Sequence, residues 1–179
     1  MLAAGELPAF LADHAVCEQQ VAVYALSLAG YYPEDMELVS KVAALAAEEV
    51  QHFRRVVTIL KKRGWSLAGR RKNPWVAALR AQIEAGREPW TKVDRLLFGA
   101  MVEARSCERF SRLLTALGDP EVCRLLHELG PAEKRHWEMF YRLAGRDVPA
   151  SDLAERWAAW LAMERNLALE LGVSPTVHG

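Results

Sequence analysis

Two pairs of side chains in this sequence have the spacing of metal ligands on a helix. Glu49 precedes His52 by three positions, and Glu133 precedes His136 by three positions. Because three residues turn an α-helix by about 300°, the two members of each pair lie on neighbouring positions of one helix face. Each pair could therefore bind the same metal ion.

Two further glutamates, Glu18 and Glu103, fall on the apolar stripes of other helical segments. A buried carboxylate is costly unless it is compensated, so glutamates on apolar stripes indicate a function. Di-iron sites in helix bundles use one glutamate from each of two helices and one Glu-x-x-His pair from each of two others. The chain supplies this set once, and the predicted metal ligands are Glu18, Glu49, His52, Glu103, Glu133 and His136.

The positions of the four glutamates along their helices agree with a common site. Glu18 and Glu49 lie 13 and 14 residues from the two ends of the turn that joins their segments. Glu103 and Glu133 lie 14 and 13 residues from the ends of theirs. Antiparallel neighbours meet at equal distances from their shared turn, so all four carboxylates are expected at a similar depth.

The donor set predicts the metal and the class of chemistry. Sites rich in carboxylates with two imidazoles suit iron or manganese better than zinc. Four carboxylates balance the charge of two divalent ions, and two adjacent ferrous ions can together deliver two electrons to dioxygen. The spacing therefore predicts a di-iron centre with dioxygen as co-substrate. It selects no substrate to be oxidised and no catalytic side chain beyond the ligands.

Two neighbouring side chains are alternatives to this assignment or additions to it. Glu108 is the rival of Glu103, because it follows a cysteine as Glu18 does. Glu103 is preferred, since it falls on the apolar stripe and matches the turn distance. His14 shares a stripe with Glu18 and is interpreted as a core histidine, in preference to a residue that supports Glu18 or lines a cavity.

The elements that must position these residues are helices, because apolar residues recur every three or four positions along most of the chain. Long helices are predicted over residues 7–31, 35–63, 91–117 and 120–144, a short helix over 74–85, and a last helix over 151–171 with Ser151 as its N-cap. Two hairpins joined by about 27 residues indicate an all-α, ferritin-like four-helix bundle with a long crossover and an extra C-terminal helix. We expect one domain over 1–179, with its core at about 7–145.

Composition excludes several other classes of protein. The chain has 179 residues, of which 51% are hydrophobic and 26% charged, as in a globular domain and unlike a disordered chain. No apolar run approaches the roughly 18 residues of a membrane span. Three cysteines without a CxxC motif argue against a zinc ribbon or a rubredoxin-type iron site. No signal peptide is evident, so a cytoplasmic protein is expected. We also expect a monomer or a small oligomer.

Charge is distributed unevenly, although the net charge is zero. Residues 50–83 contain nine basic side chains and no acidic one. A positive segment of this kind can bind a polyanion, and it can equally be the solvated basic end of a helix. The charge pattern alone leaves both readings open.

Five sequence motifs resemble the tRNA 2-methylthio-isopentenyladenosine hydroxylase family, known as MiaE. They are AVCE at 15–18, EEVQHF at 48–53, LKKRG at 60–64, GAMVEARSCERF at 99–110 and EKRHW at 133–137. The resemblance covers roughly residues 10–145. It implies a ferritin-like di-iron monooxygenase that hydroxylates the isopentenyl group of the modified adenosine beside the tRNA anticodon, with electrons from a reductase. Matching the motifs residue by residue implies the same six iron ligands.

A tRNA substrate would give the basic segment a purpose, because phosphate contacts position nucleic acid without reading its sequence. The expected contacts are Lys61, Lys62, Arg63, Arg70, Arg71 and Lys72. Three alternatives stay open: a ferritin-like protein that stores iron or scavenges peroxide, a related di-iron oxygenase with another substrate, and a metal-free helix bundle.

Overall fold

The computed structural model describes residues 6–67, 69 and 73–172. In this part of the chain there are six α-helices and no strand, which confirms the prediction of an all-α protein. The helices are α1 (Leu7–Tyr31), α2 (Met36–Lys62), α3 (Pro74–Arg80), α4 (Trp90–Leu114), α5 (Pro120–Ala144) and α6 (Ala150–Leu171). None of these described helices combines the length and the apolar character that crossing a bilayer requires. The chain divides into two compact units.

The first unit contains α1, α2 and residues 113–119. A short turn joins the two helices, and Asp35 begins α2 by accepting a hydrogen bond from the main-chain N–H of Leu38 at 3.1 Å. Such a cap satisfies one of the N–H groups that the first helical turn leaves without a partner. The interior of the hairpin is apolar and fully buried at Leu11, Ala15, Leu28, Leu38, Val42 and Val56.

An ion pair connects residues 113–119 with the end of α2. The guanidinium of Arg63 donates to both carboxylate oxygens of Asp119, at 2.6 and 2.9 Å. The same guanidinium lies 5.1 Å from the centre of the Trp65 ring. Two parallel hydrogen bonds fix the orientation of both partners, which single contacts would not do. The chain after α4 is thereby held to the C-terminal end of α2.

The second unit contains α3, most of α4, α5 and α6. Gly99 lets α4 approach α5 closely, because a Cβ atom at this position would lie 3.0 Å from the ring of Phe140. The indole N–H of buried Trp75 on α3 donates to Glu164 on α6 at 3.2 Å. The interior of this unit is apolar and fully buried at Leu79, Val93, Leu96, Leu97, Leu126, Leu129 and Phe140.

Asp94 on α4 holds α6 through side-chain contacts. Its buried carboxylate accepts hydrogen bonds from Arg156 at 2.8 and 2.7 Å and from the indole N–H of Trp160 at 3.2 Å. It also accepts the main-chain N–H of Glu84 at 3.3 Å. A buried carboxylate is stable in this setting because its oxygens are surrounded by donors.

The predicted helix bounds are confirmed for α1 and α5, and α2 differs by one residue at each end. The short helix ends at Arg80 instead of 85, because the chain beyond it turns to bind α4 through Glu84. The helix predicted to end at 117 ends at Leu114, and the main-chain N–H groups of Ala116 and Leu117 then both reach back to Leu113.

The prediction that Ser151 caps the last helix is wrong. The helix begins at Ala150 with Pro149 in the cap position, and Ser151 lies inside the first turn. The hydroxyl of Ser151 donates to the carboxylate of Asp152, at 2.8 Å. Proline before the helix explains the shift, since its fixed φ supports the extended conformation that precedes a first turn.

Candidate metal centre

The first unit brings together three of the predicted ligands. Glu18 comes from α1, and Glu49 and His52 come from one face of α2. One ligand atom from each of the three lies within 4.8 Å of the others. The Nδ1 atom of His52 lies 3.6 Å from Glu18 Oε2 and 3.6 Å from Glu49 Oε2. All three side chains are buried, with at most 5% of any residue exposed. We call this group the first cluster.

The electrostatics of the first cluster are those of charges confined away from water. Burial raises the pKa of Glu18 well above its usual value, and the negative charge of Glu49 raises it further. Burial alone would lower the pKa of His52, but the proximity and the negative charges of the Glu18 and Glu49 carboxylates outweigh it and raise the value to about 10. In the metal-free protein, a proton bound by these groups offsets part of the negative charge of the two carboxylates.

The second unit brings together the other three predicted ligands. Glu103 comes from α4, and Glu133 and His136 come from α5. One ligand atom from each lies within 4.8 Å of the others, and no more than 4% of any of the three residues is exposed. Pro131 stands inside α5 two residues before Glu133 and lacks a main-chain donor there. We call this group the second cluster.

The structure separates Glu103 from its rival on α4. Glu103 is buried, whereas Glu108 is exposed and pairs with Arg105 at 2.9 Å and with Arg112. Cys107 lies between them in sequence and is half-buried. Burial and the negative charge of Glu133 raise the pKa of its thiol. Because the thiolate is the form that binds metals, a raised pKa makes Cys107 a poor ligand.

Each cluster fits one divalent ion of the kind predicted. Two buried carboxylates carry two negative charges, which one divalent cation would neutralise, and a neutral imidazole completes a set of oxygen and nitrogen donors. Buried carboxylates of this type are unfavourable unless a charge compensates them. The donor chemistry of both clusters is therefore compatible with a di-iron site.

The basic residues predicted to contact tRNA are only partly described. Lys61 and Lys62 are exposed at the last turn of α2, as are Arg54 and Arg55 on the same helix. Arg63 is half-buried and engaged by Asp119, as given above. The remaining predicted contacts, Arg70, Arg71 and Lys72, lie outside the described residues.

A family model for proteins described as tRNA-(MS2IO6A)-hydroxylase (MiaE) matches residues 2–179. The chain belongs to this family. The resemblance predicted from the motifs is thereby confirmed and extends over almost the whole sequence. Membership makes the chain a homologue of hydroxylase enzymes.

Two MiaE relatives carry the name tRNA 2-(methylsulfanyl)-N(6)-isopentenyladenosine(37) hydroxylase. The relative from Pseudomonas putida is 38% identical over 144 residues, which are 80% of this chain and 69% of that protein. The relative from Salmonella typhimurium is 30% identical over 137 residues, which are 76% of this chain and 50% of that protein. This MiaE chain thus matches about half of the length of the Salmonella relative.

A solved structure supports the fold of this MiaE chain. The structure is described as protein 43 with aldehyde deformylating oxygenase activity from Synechococcus. Its TM-score is 0.90 at 30% identity, and the match covers 98% of this chain and 90% of that one. The predicted ferritin-like, all-α fold is confirmed.

One buried histidine lies beside the first cluster without belonging to it. His14, interpreted as a core histidine, is buried, and its Nε2 atom lies 3.0 Å from Oε1 of Glu18. The sequence indicated that His14 and Glu18 are neighbours, since the two residues are four positions apart on the same apolar stripe. Periodicity shows that both point inward, but it does not show which way an imidazole turns.

Proposed function

We propose that this protein hydroxylates the isopentenyl group of 2-methylthio-isopentenyladenosine beside the anticodon of tRNA, with dioxygen and externally supplied electrons. The family match over residues 2–179 carries this proposal. The activity in the names of the two curated relatives supports it. Family membership also favours a hydroxylase over the iron-storage, peroxide-scavenging and metal-free alternatives. A tRNA substrate implies that the protein acts in the cytoplasm, which is the localisation that we propose.

Six side chains are proposed to hold the metal: Glu18, Glu49, His52, Glu103, Glu133 and His136. Support comes from the composition of the first and second clusters, each of which offers two buried carboxylates and one buried imidazole. Two iron ions, when bound, would supply the activation of dioxygen. The protein excludes water from these donors and orients them. Burial and hydrogen bonds around metal ligands tune the geometry and the basicity of the ligands.

The overall reaction requires a partner that provides electrons. One oxygen atom of dioxygen enters a C–H bond of the isopentenyl group, and the other leaves as water with two protons and two electrons. A single hydroxylation therefore consumes a pair of electrons from outside the substrate. A reductase of the one-electron-carrier class is the proposed source.

The tRNA is proposed to lie along the C-terminal half of α2. Lys61 and Lys62 are exposed there together with Arg54 and Arg55, and no acidic residue occurs between positions 50 and 83. Arg70, Arg71 and Lys72 continue the same basic run in the sequence. Arg63, which binds Asp119, would support this surface by fixing the end of α2. Phosphate contacts of this kind would position the anticodon stem while a different part of the protein binds the modified base.

The deciding experiment analyses tRNA nucleosides by mass spectrometry. The protein, loaded with ferrous iron and supplied with a chemical reductant, is incubated with tRNA from a host that lacks the gene. We expect the isopentenyl nucleoside to gain one oxygen atom, and isotopically labelled dioxygen to supply it. A Glu133→Gln variant serves as the control without a complete ligand set. An unmodified nucleoside with the iron-loaded protein would contradict the proposal.

A second candidate is an oxygenase for a small apolar substrate, such as an aldehyde. It is favoured by the coverage of the Synechococcus protein, of which 90% is matched, compared with 69% and 50% of the curated tRNA hydroxylases. The same reaction mixture separates the two candidates. Conversion of an aldehyde without any change in tRNA would favour the second, and a hydroxylated nucleoside would favour the first.

A further inference from the structure

Gly99 on α4 lies against the ring of Phe140 on α5, in the interior of the second unit. A Cβ atom at Gly99 would lie 3.0 Å from Cε2 and Cζ of the ring and 3.1 Å from Cδ2. Carbon atoms pack at about 3.5–4.0 Å, so an added methyl group would require about 0.5 Å more space. The ring is fully buried, and a close-packed interior gives it little room to move aside. The missing side chain at position 99 therefore sets how closely α4 and α5 approach.

The backbone at Gly99 gives no other reason for a glycine. Glycine is less favourable than alanine in the interior of a helix, and Gly99 lies near the middle of α4. The glycines with positive φ in the described part of the chain are Gly64, Gly86 and Gly172. Gly99 has the backbone of an ordinary helical residue, which an L side chain could adopt. What the position requires is the close approach of the Phe140 ring.

This contact lies one helical turn from the second cluster on both helices. Glu103 follows Gly99 by four positions on α4, and His136 precedes Phe140 by four positions on α5. Glu103 and His136 offer ligand atoms within 4.8 Å of each other. Four residues advance a helix by about 6 Å, and the opposite directions along the two helices are those of antiparallel neighbours. The close approach at Gly99 is thus the packing contact next to a pair of positions that would share a metal ion.

We propose that Gly99 is a positioning residue for the metal centre. By admitting the Phe140 ring, it keeps α4 and α5 at the separation that the ligands of the second cluster require. Functional sites tolerate displacements of only about 0.5 Å, which is similar to the shift that a methyl group at position 99 would impose. The inference rests on the proposed function only in that it requires a metal at this cluster, and it requires nothing of tRNA.

The test measures binding of ferrous iron to the purified full-length protein without oxygen, by titration against a competing chelator. Gly99→Ala adds the methyl group, Phe140→Leu makes room for it, and a double variant combines the two. The matched control is Gly145→Ala, which adds a methyl group 3.1 Å from Cδ2 of Leu153 in the same unit, nine positions beyond His136. Mössbauer spectra report the two irons separately, and urea unfolding of the metal-free protein reports folding.

We expect Gly99→Ala to weaken the binding of one iron by about 10-fold and to alter one Mössbauer doublet, since changes around metal ligands typically cost about 10-fold to 100-fold in affinity. Gly145→Ala should stay within about threefold of the wild type, below that range. The double variant should stay equally close to Phe140→Leu alone, because the methyl group then has space.

Three results would overturn the inference while leaving the proposed function intact: wild-type affinity in Gly99→Ala, an equal loss in Gly145→Ala, or no recovery in the double variant. Should Gly99→Ala alone not fold, the double variant still decides the matter. Recovery of folding and of both irons would support the inference, and failure of the double variant to fold would overturn it. A wild-type protein that binds no iron would overturn both this inference and the proposed function.

Discussion

The carboxylate of Asp94 and the guanidinium of Arg156 form a bidentate pair that connects α4 with α6. Asp94 is fully buried, and its two oxygens accept from Nε and Nη2 of Arg156 at 2.8 and 2.7 Å. The indole of Trp160 donates to the same carboxylate. Since Glu103 lies on the same helix nine positions later, this pair holds one of the helices that carry proposed ligands.

Replacing Asp94 by alanine should destabilise the protein by about 3 kcal/mol. The change removes the carboxylate and leaves the buried indole N–H of Trp160 and the part-buried main-chain N–H of Glu84 without their acceptor. A lost partner of a buried polar group costs about 1–3 kcal/mol. Urea unfolding of the metal-free protein measures the effect. The matched control is Glu155→Ala, an exposed acid on α6 that should change stability by less than about 0.5 kcal/mol. Similar values for the two variants would contradict the role assigned to Asp94.

Glu103 and Glu108 offer a matched pair of substitutions on α4. We expect Glu103→Gln to lower iron content below that of the wild type, because it removes the charge of a buried donor. Glu108→Gln should keep wild-type iron content, since Glu108 is exposed and pairs with Arg105. Metal analysis and urea unfolding of both variants check this. Loss of iron in Glu108→Gln alone would reverse the assignment of the ligand.

The metal-free protein should lose stability as the pH rises from about 6.5 to 10. The pKa of His52 is raised to about 10 in the folded state and has its ordinary value of 6.5 in the unfolded state, so over this range the folded state binds the additional proton. The stabilisation is complete below the pKa of the unfolded state. It is lost as the pH rises from that value to the pKa of the folded state, by up to about 1.4 kcal/mol per pH unit. Unfolding of the metal-free protein at several pH values measures the slope. His52→Gln should make the slope smaller, while Glu18, whose pKa burial also raises, continues to contribute in the same direction. A stability that rises over this range would refute the prediction.

Reversing two charges at the end of α2 should weaken tRNA binding. In the double variant Lys61→Glu, Lys62→Glu, we expect the Kd for tRNA to rise at least about tenfold at 0.1 M salt. The slope of log Kd against log salt concentration should fall by about 2, because two phosphate contacts are lost. Filter binding over a series of salt concentrations gives both values. Lys41→Glu is the control, because Lys41 is an exposed lysine near the other end of α2. Unchanged affinity at low salt would remove this surface from the proposal.

The helices and the inward position of the donors follow from local sequence. Periodic apolar residues are sufficient to predict α1 and α5, whose predicted bounds agree with the structure. Glu18, Glu49 and His52 could be assigned to the interior because three-residue and four-residue spacings place them on apolar stripes, and they are buried. These are properties of a single helix, so a linear pattern contains them.

Contacts between parts of the chain that are distant in sequence could not be predicted from the periodicity of single helices. Ser151 looked like a cap by residue type, but the helix began earlier, and Asp94 gave no sign that it would bind Arg156 and Glu84 from two other segments. The sequence placed Arg63 in the basic segment, and only the fold showed that Asp119 lies beside it.

The sequence alone determined which residues are available as ligands, that they lie on inward helix faces, and the family to which the chain is similar. Only the tertiary structure decided how those residues are oriented, including the side chains of Glu18 and His52, whose Oε2 and Nδ1 atoms lie 3.6 Å apart. The physical reason is that periodicity fixes the direction of Cβ along one helix. The rotamer beyond Cβ and the choice of hydrogen-bond partner depend on atoms that other segments bring near.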